Sequence, residues 1–198
     1  MRLKAWVALV MVLVCTSLFA QTDQKKMSPE EQKMMDAWTK FMTPGDGHKS
    51  LNSLVGSFDA KVTMWQMPGA PAQVSTATST SNWVLGNRYV EENVNGSFMG
   101  MPFQGIGYTG YDNAKKQYVG AWMDNFGTGV MTSTGSSADN GKTFTFTSNT
   151  TDPMTGKDMS GSSKMTVTDA DHHTLEMWGP APDGKMFKTM QIDYTRKK

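Results

Sequence analysis

From Gly56 onward the chain runs in short stretches rich in Thr, Ser, Val and aromatic residues, alternating apolar with polar. Turn-forming clusters break these stretches: Leu85-Gly86-Asn87, Asp112-Asn113-Ala114-Lys115, Asp139-Asn140-Gly141, Asp152-Pro153-Met154-Thr155-Gly156, Asp169-Ala170-Asp171 and Pro182-Asp183-Gly184. The intervals fit one strand and one turn and are too short for a crossover helix, so neighbours in sequence are predicted to pair antiparallel. Strands are expected at Ser57 to Met67, Gln73 to Leu85, Arg88 to Val94, Pro102 to Tyr111, Gln117 to Asp124, Thr128 to Gly135, Thr143 to Asn149, Met159 to Thr168, Thr174 to Trp178 and Lys185 to Thr195. A meander of about ten strands leaves two raw edges unless it closes. An up-and-down β-barrel over residues 56–198 is therefore the expected fold, with a two-sheet sandwich as the competing solution.

The residues ahead of this domain read differently. Arg2 and Lys4, an apolar run from Ala5 to Cys15, and Thr16-Ser17-Leu18-Phe19-Ala20 before Gln21 form the three-part plan of a cleaved signal peptide over residues 1–20. Export to the periplasm or beyond follows, with signal peptidase as the partner during export and no stable membrane span after cleavage. A lipid anchor on Cys15 is the alternative. Residues 21–55 are read as a leader and a helical segment. There Ser28-Pro29-Glu30-Glu31 is a capping box that opens a helix with Met34, Met35, Trp38, Phe41 and Met42 on one stripe, and Pro44-Gly45-Asp46-Gly47 ends it. That stripe is expected to pack on the flank or rim of the barrel. A second short helix is expected from His48 to Leu54.

Composition excludes several classes of function. The 19 basic and 18 acidic residues nearly cancel, and losing Arg2 and Lys4 leaves the mature chain slightly acidic, so nucleic acid is not an expected partner. Cleavage after Ala20 also removes the single cysteine, and with it any disulfide or thiolate metal site. Neither a cofactor nor a metal is expected. There is no Gly-x-Ser-x-Gly elbow and no phosphate-binding glycine loop. Of the three histidines, His172 and His173 fall in a turn, where both are expected to face water. Glu91 and Glu92 are strand neighbours, so they face opposite sides of the sheet and cannot share a glycosidic bond. An enzyme is not expected.

Methionine is over-represented, with 18 in the chain. Thioethers suit Cu(I), but methionine is also an adaptable filler of apolar space. Soft-metal binding through Met99 and Met101, with His48 as a further ligand, stands as the alternative to a ligand-binding role.

The order helix, Leu54-Val55-Gly56-Ser57-Phe58, long meander and final Tyr194-Thr195-Arg196 resembles the calycin plan of lipocalins and fatty-acid-binding proteins. That resemblance implies that Phe58 faces inward beneath Arg196, with Gly56, Phe58 and Arg196 structural, and that Met64 faces inward too. A second resemblance is to the bacterial family called domain of unknown function 1579. It is carried by His48-Lys49, Leu54-Val55-Gly56, Met67-Pro68-Gly69, Trp83-Val84-Leu85-Gly86-Asn87-Arg88-Tyr89, Met99-Gly100-Met101-Pro102-Phe103-Gln104-Gly105, Gly110-Tyr111-Asp112-Asn113, Trp122-Met123-Asp124, Thr128-Gly129 and Asp183-Gly184-Lys185. It covers roughly residues 48–196 and implies no activity. The expected function is a non-catalytic barrel holding a small apolar or amphipathic ligand, with Met64, Trp83, Arg88, Glu92, Met99, Met101 and Trp122 as candidate ligand contacts.

Overall fold

The computed structural model describes residues 27–198; the signal-peptide and lipid-anchor readings lie outside them. Helix α1 (Pro29–Met42) leads to a one-turn helix α2 (Asp46–Lys49), a 3-10 turn over Ser50–Leu54 and ten strands. These are β1 (Gly56–Met64), β2 (Gln73–Val84), β3 (Tyr89–Phe98), β4 (Met101–Asp112), β5 (Gln117–Asp124), β6 (Met131–Ser136), β7 (Thr143–Thr151), β8 (Asp158–Val167), β9 (His172–Pro180) and β10 (Met186–Arg196). Every strand pairs antiparallel with its sequence neighbours, and β1 pairs with β10 to close the barrel. Closure leaves no exposed edge, which decides against the sandwich.

Alternation fixes which side chains point inward. Phe58, Val90 and Phe144 are buried and set the inward parity of β1, β3 and β7, and the register extends it around the ring. One end of the barrel is plugged. Leu51 and Leu54 from the 3-10 turn pack there against Val90, Tyr118 and Phe144, with Trp83, Tyr111 and Phe146 around them. Two hydrogen bonds pin the plug: Ser50 Oγ to Tyr118 Oη at 2.6 Å, and Trp83 Nε1 donating to Asn52 Oδ1 at 2.9 Å.

Phe58, Ala60 and Tyr194 form a second buried cluster beside the plug. Arg196 closes over it, donating to the carbonyls of Val55 (2.8 Å), Ser53 (3.3 Å) and Ala170 (2.9 Å). Gly56 sits beneath this guanidinium at φ +140°, where a Cβ would run into Arg196 Nη1. A side chain is thus excluded twice, by conformation and by space.

Helix α1 departs from expectation. Its capping box is present, with the Ser28 amide donating to Glu31 Oε2 at 2.7 Å, yet none of its residues is buried. Trp38 is 55% exposed and Met34 59%. The helix is held through the carbonyls of its last turn instead: Asn113 Nδ2 donates to Lys40, Phe41 and Thr43, and Arg88 Nη2 to Met42. Backbone anchoring at one end leaves the apolar stripe uncovered. No helix among the described residues is long and apolar enough to cross a membrane.

Candidate ligand cavity inside the barrel

An eight-stranded barrel is just wide enough for its own side chains to fill, and width grows with strand number, so ten strands enclose surplus space. The inward side chains at mid-height are also small: Ser75, Ala77 and Ser79 on β2, Gly96 on β3, Gly120 on β5, Ser133 on β6 and Ser163 on β8. Inward-facing Val62, Ser75, Val94, Ser133, Leu175 and Ile192 are only half-buried, unlike Leu51, Val90 and Phe144 at the plug. The barrel therefore has the form of a cup, packed at the plug and loosely filled in its other half.

Methionines and aromatic rings line the open end. Met64 lies opposite Met190, and Met190 opposite Met177, so three adjacent strands turn a thioether inward. On the facing wall Trp122 covers the bare backbone of Gly105 and Gly107 and stacks on Phe103 with ring centres 6.4 Å apart. Phe126 packs on both Phe98 and Phe103. The Trp122 indole is held by Asp124, whose Oδ2 accepts from Nε1 at 2.9 Å.

Glu92 lies at the base of this space. It points inward from β3, directly opposite Ser81 on β2 and Gly107 on β4. Its Oε1 accepts from Ser79 Oγ at 2.7 Å. Protein surrounds the carboxyl closely enough for desolvation to push its pKa up, while Ser79 and the Tyr194 hydroxyl pull it back down. Glu92 as a whole is half-buried, and its inward direction from β3 sets the carboxyl at the floor of the loosely filled half. Tyr194, pushed well above its ordinary pKa by burial and by the Glu92 charge, stays a neutral donor. Behind it His173 stacks at 4.3 Å and meets the Phe58 ring edge-on at 4.7 Å. Burial, then the Arg196 charge, depresses the His173 pKa to about 4, so the imidazole is neutral at physiological pH.

The sequence-derived candidates separate into groups. Met64, Glu92 and Trp122 line the open half, and Met101 stands at its lip, 49% exposed as the first residue of β4. Trp83 faces inward but belongs to the plug. Arg88 does not join Glu92: it sits in the β2–β3 turn at the plug end, donating to the Leu85 and Gly86 carbonyls and to α1. Met99 occupies the β3–β4 turn at φ +51°, 61% exposed, and does not share a strand face with Met101. His48 is buried at the plug end, the opposite end from Met99 and Met101, and its Nδ1 accepts from the Gly45 amide at 3.1 Å. Those three residues therefore form no common site.

His173 also departs from the expected solvated turn, because β9 begins at His172 and the strand's first inward position is His173. Ser79, Ser81, His173 and Tyr194 were missed as site residues. Tyr194 was within reach, since its spacing from Arg196 gives it the same face. The serines carry no sequence signal apart from the register that sets them beside Glu92.

Residues 43–196 match the model of a family described as "Protein of unknown function (DUF1579)". No curated protein matches the chain. Among solved structures, the M. tuberculosis protein Rv2717c is similar at 12% identity and TM-score 0.57, covering 79% of this chain and 100% of its own. A redesigned β-barrel matches at 13% identity and TM-score 0.40, covering 77% of this chain and 96% of its own. Phe58 and Arg196, Glu92 and Tyr194, and all the strands that carry them fall inside the matched span.

Proposed function

The chain belongs to the DUF1579 family of proteins of unknown function, and we propose that it is an exported, non-catalytic binding protein that holds a small apolar or amphipathic ligand in the open half of its barrel. One observation carries this reading: a closed ten-stranded wall, plugged at one end, whose inward residues beyond the plug are small or only half-buried. Such a space gains free energy when an apolar molecule replaces water. The methionine and aromatic lip supplies adaptable apolar contacts at the entrance.

A binding role agrees with the engagement of the histidines. His48 caps α2 through its Nδ1, His172 pairs with Asp169 at 2.9 Å on the surface, and His173 is packed between rings. Among the described residues no hydrogen bond joins a histidine ring to a hydroxyl, the contact a general base would make. Export rests on the Arg2 to Ala20 pattern.

Titration of the mature protein with the neutral fluorophore N-phenyl-naphthylamine tests the reading. Binding with a Kd near the micromolar range, about −8 kcal/mol, is expected. Native mass spectrometry of protein purified from its own host should show a retained mass. Failure of the probe to bind and absence of any retained mass would end the proposal.

A further inference from the structure

The barrel wall sorts its charges by sign. Among the described strand residues, Lys61, Lys164 and Lys188 point outward, the last two reaching Glu176 at 3.5 and 2.6 Å. Arg196 is committed to three carbonyls and to the face of Phe58 at the plug. His173 is uncharged at physiological pH. The acids that face inward are Glu92 and Asp124, and Asp124 already accepts from Trp122 Nε1 and the Phe126 amide, both at 2.9 Å. Among the described strand residues no inward-facing cation is free to meet an anionic head inside the cup; the lysines at the open end, Lys157 and Lys185, stand on exposed loops outside it.

Glu92 retains unused acceptor capacity, because a carboxylate offers about four lone-pair sites and Ser79 and Tyr194 occupy only part of them. Directly across the ladder, Ser81 is 4% exposed and its hydroxyl has no protein partner. Ser148, 8% exposed, turns a second unpartnered hydroxyl into the same interior from β7. Neither oxygen is sealed from water, since Ser53 Oγ is the one fully enclosed side-chain polar atom without a partner among the described residues, so both hydroxyls stand open to whatever fills the interior.

An isolated carboxylate in such surroundings is costly, and a cation seated against it offsets that cost. An ammonium group carries donors and no acceptor, the complement of a carboxylate beside a free hydroxyl. From Glu92 to the end of β3 at Phe98 is about 20 Å of strand, less after tilt, which accommodates an alkyl chain of about twelve carbons.

We propose that the cup receives an amphiphile whose head is a primary or secondary ammonium, donating to Glu92 and Ser81 while its apolar chain extends toward Met64, Met177 and Met190. The assignment rests on the binding role argued above and goes further by fixing the charge of the head and the direction of the chain.

Displacement of N-phenyl-naphthylamine at pH 7 by dodecylamine, dodecanol and dodecanoate separates the two claims. Dodecylamine is expected to bind at least about tenfold more tightly than either other compound. In Glu92→Gln, whose fold is checked by near-ultraviolet circular dichroism, that preference should shrink to within about twofold. Ser81→Ala should narrow it partly. If dodecanol displaces the probe as well as dodecylamine does in the natural protein, or if the preference survives in Glu92→Gln, the head-group assignment is overturned and the binding role stands. If neither the probe nor any of the three compounds binds, both fall together.

Discussion

The Arg196 guanidinium lies 4.6 Å from the centre of the Phe58 ring, capping it where β1 and β10 close the barrel. The two residues lie directly opposite each other in the ladder, and Phe58 is 1% exposed. The contact therefore joins the first and last strands and covers the buried cluster beneath them. Phe58→Ala should cost about 3 to 5 kcal/mol, a large share of a small domain's stability. Urea melts measure it, and a loss below about 1 kcal/mol would mean that the ring does not anchor the closure. Gly56→Ala tests the other side of the same contact. It should cost about 1 to 3 kcal/mol, because the new methyl meets both a positive φ and the guanidinium.

His173 makes the fold sensitive to acid. Its pKa is about 4 in the folded chain against 6.5 in the unfolded chain, so between those values the unfolded state binds more protons. Stability contributed by the neutral imidazole is complete above pH 6.5 and declines as pH falls toward 4, by about 3 kcal/mol in all. His173→Phe keeps an aromatic ring against Tyr194 and should flatten the dependence of unfolding free energy on pH across that window. An unchanged slope would show that the imidazole titrates normally.

Glu92 acts in the opposite sense. Its folded pKa is raised, so the folded state holds the proton more tightly, and stability falls as pH rises from the ordinary carboxylate range through the folded pKa. Glu92→Gln preserves an acceptor for Ser79 while removing the charge. The variant should melt at a higher temperature than the natural protein at pH 8 and should lose the decline that sets in above the ordinary carboxylate range. A lower melting temperature at pH 8 would show that the carboxylate is net stabilising and not retained at a cost in stability.

Replacing Met64, Met177 and Met190 with Leu together removes three inward sulfurs and keeps apolar bulk. Probe affinity should change by less than about threefold if these side chains serve as lining. Met99→Leu with Met101→Leu should alter neither probe affinity nor stability by more than about 0.5 kcal/mol, since both are exposed at the β3–β4 turn. A stoichiometric Cu(I) complex lost in the triple variant but intact in the double one would turn the open end into a metal site and displace the lining interpretation.

Much of the architecture was legible in the chain itself, because it depends on local chemistry. Alternation of period two marked the strands, turn residues placed their ends, and the short spacing between turns left only antiparallel neighbours. The pairing of Phe58 with Arg196 was implied by the resemblance to the calycin plan, and the register places the two directly opposite each other. The capping box of α1 was equally legible, since it involves contacts between Ser28 and Glu31 alone.

What only the tertiary structure decided were the relations between residues distant in sequence. Whether the apolar stripe of α1 would be covered depended on where Asn113 and Arg88 held its last turn, and they hold it away from the wall. The choice of His173, not His172, as the buried histidine depended on where β9 begins. Glu92 acquired its setting from Ser79 and Ser81 on one neighbouring strand and from Tyr194 across the barrel. A strand specifies which of its side chains share a face, but the partners those side chains meet are set by the register and by the closure of the ring, which the strand's own sequence does not encode.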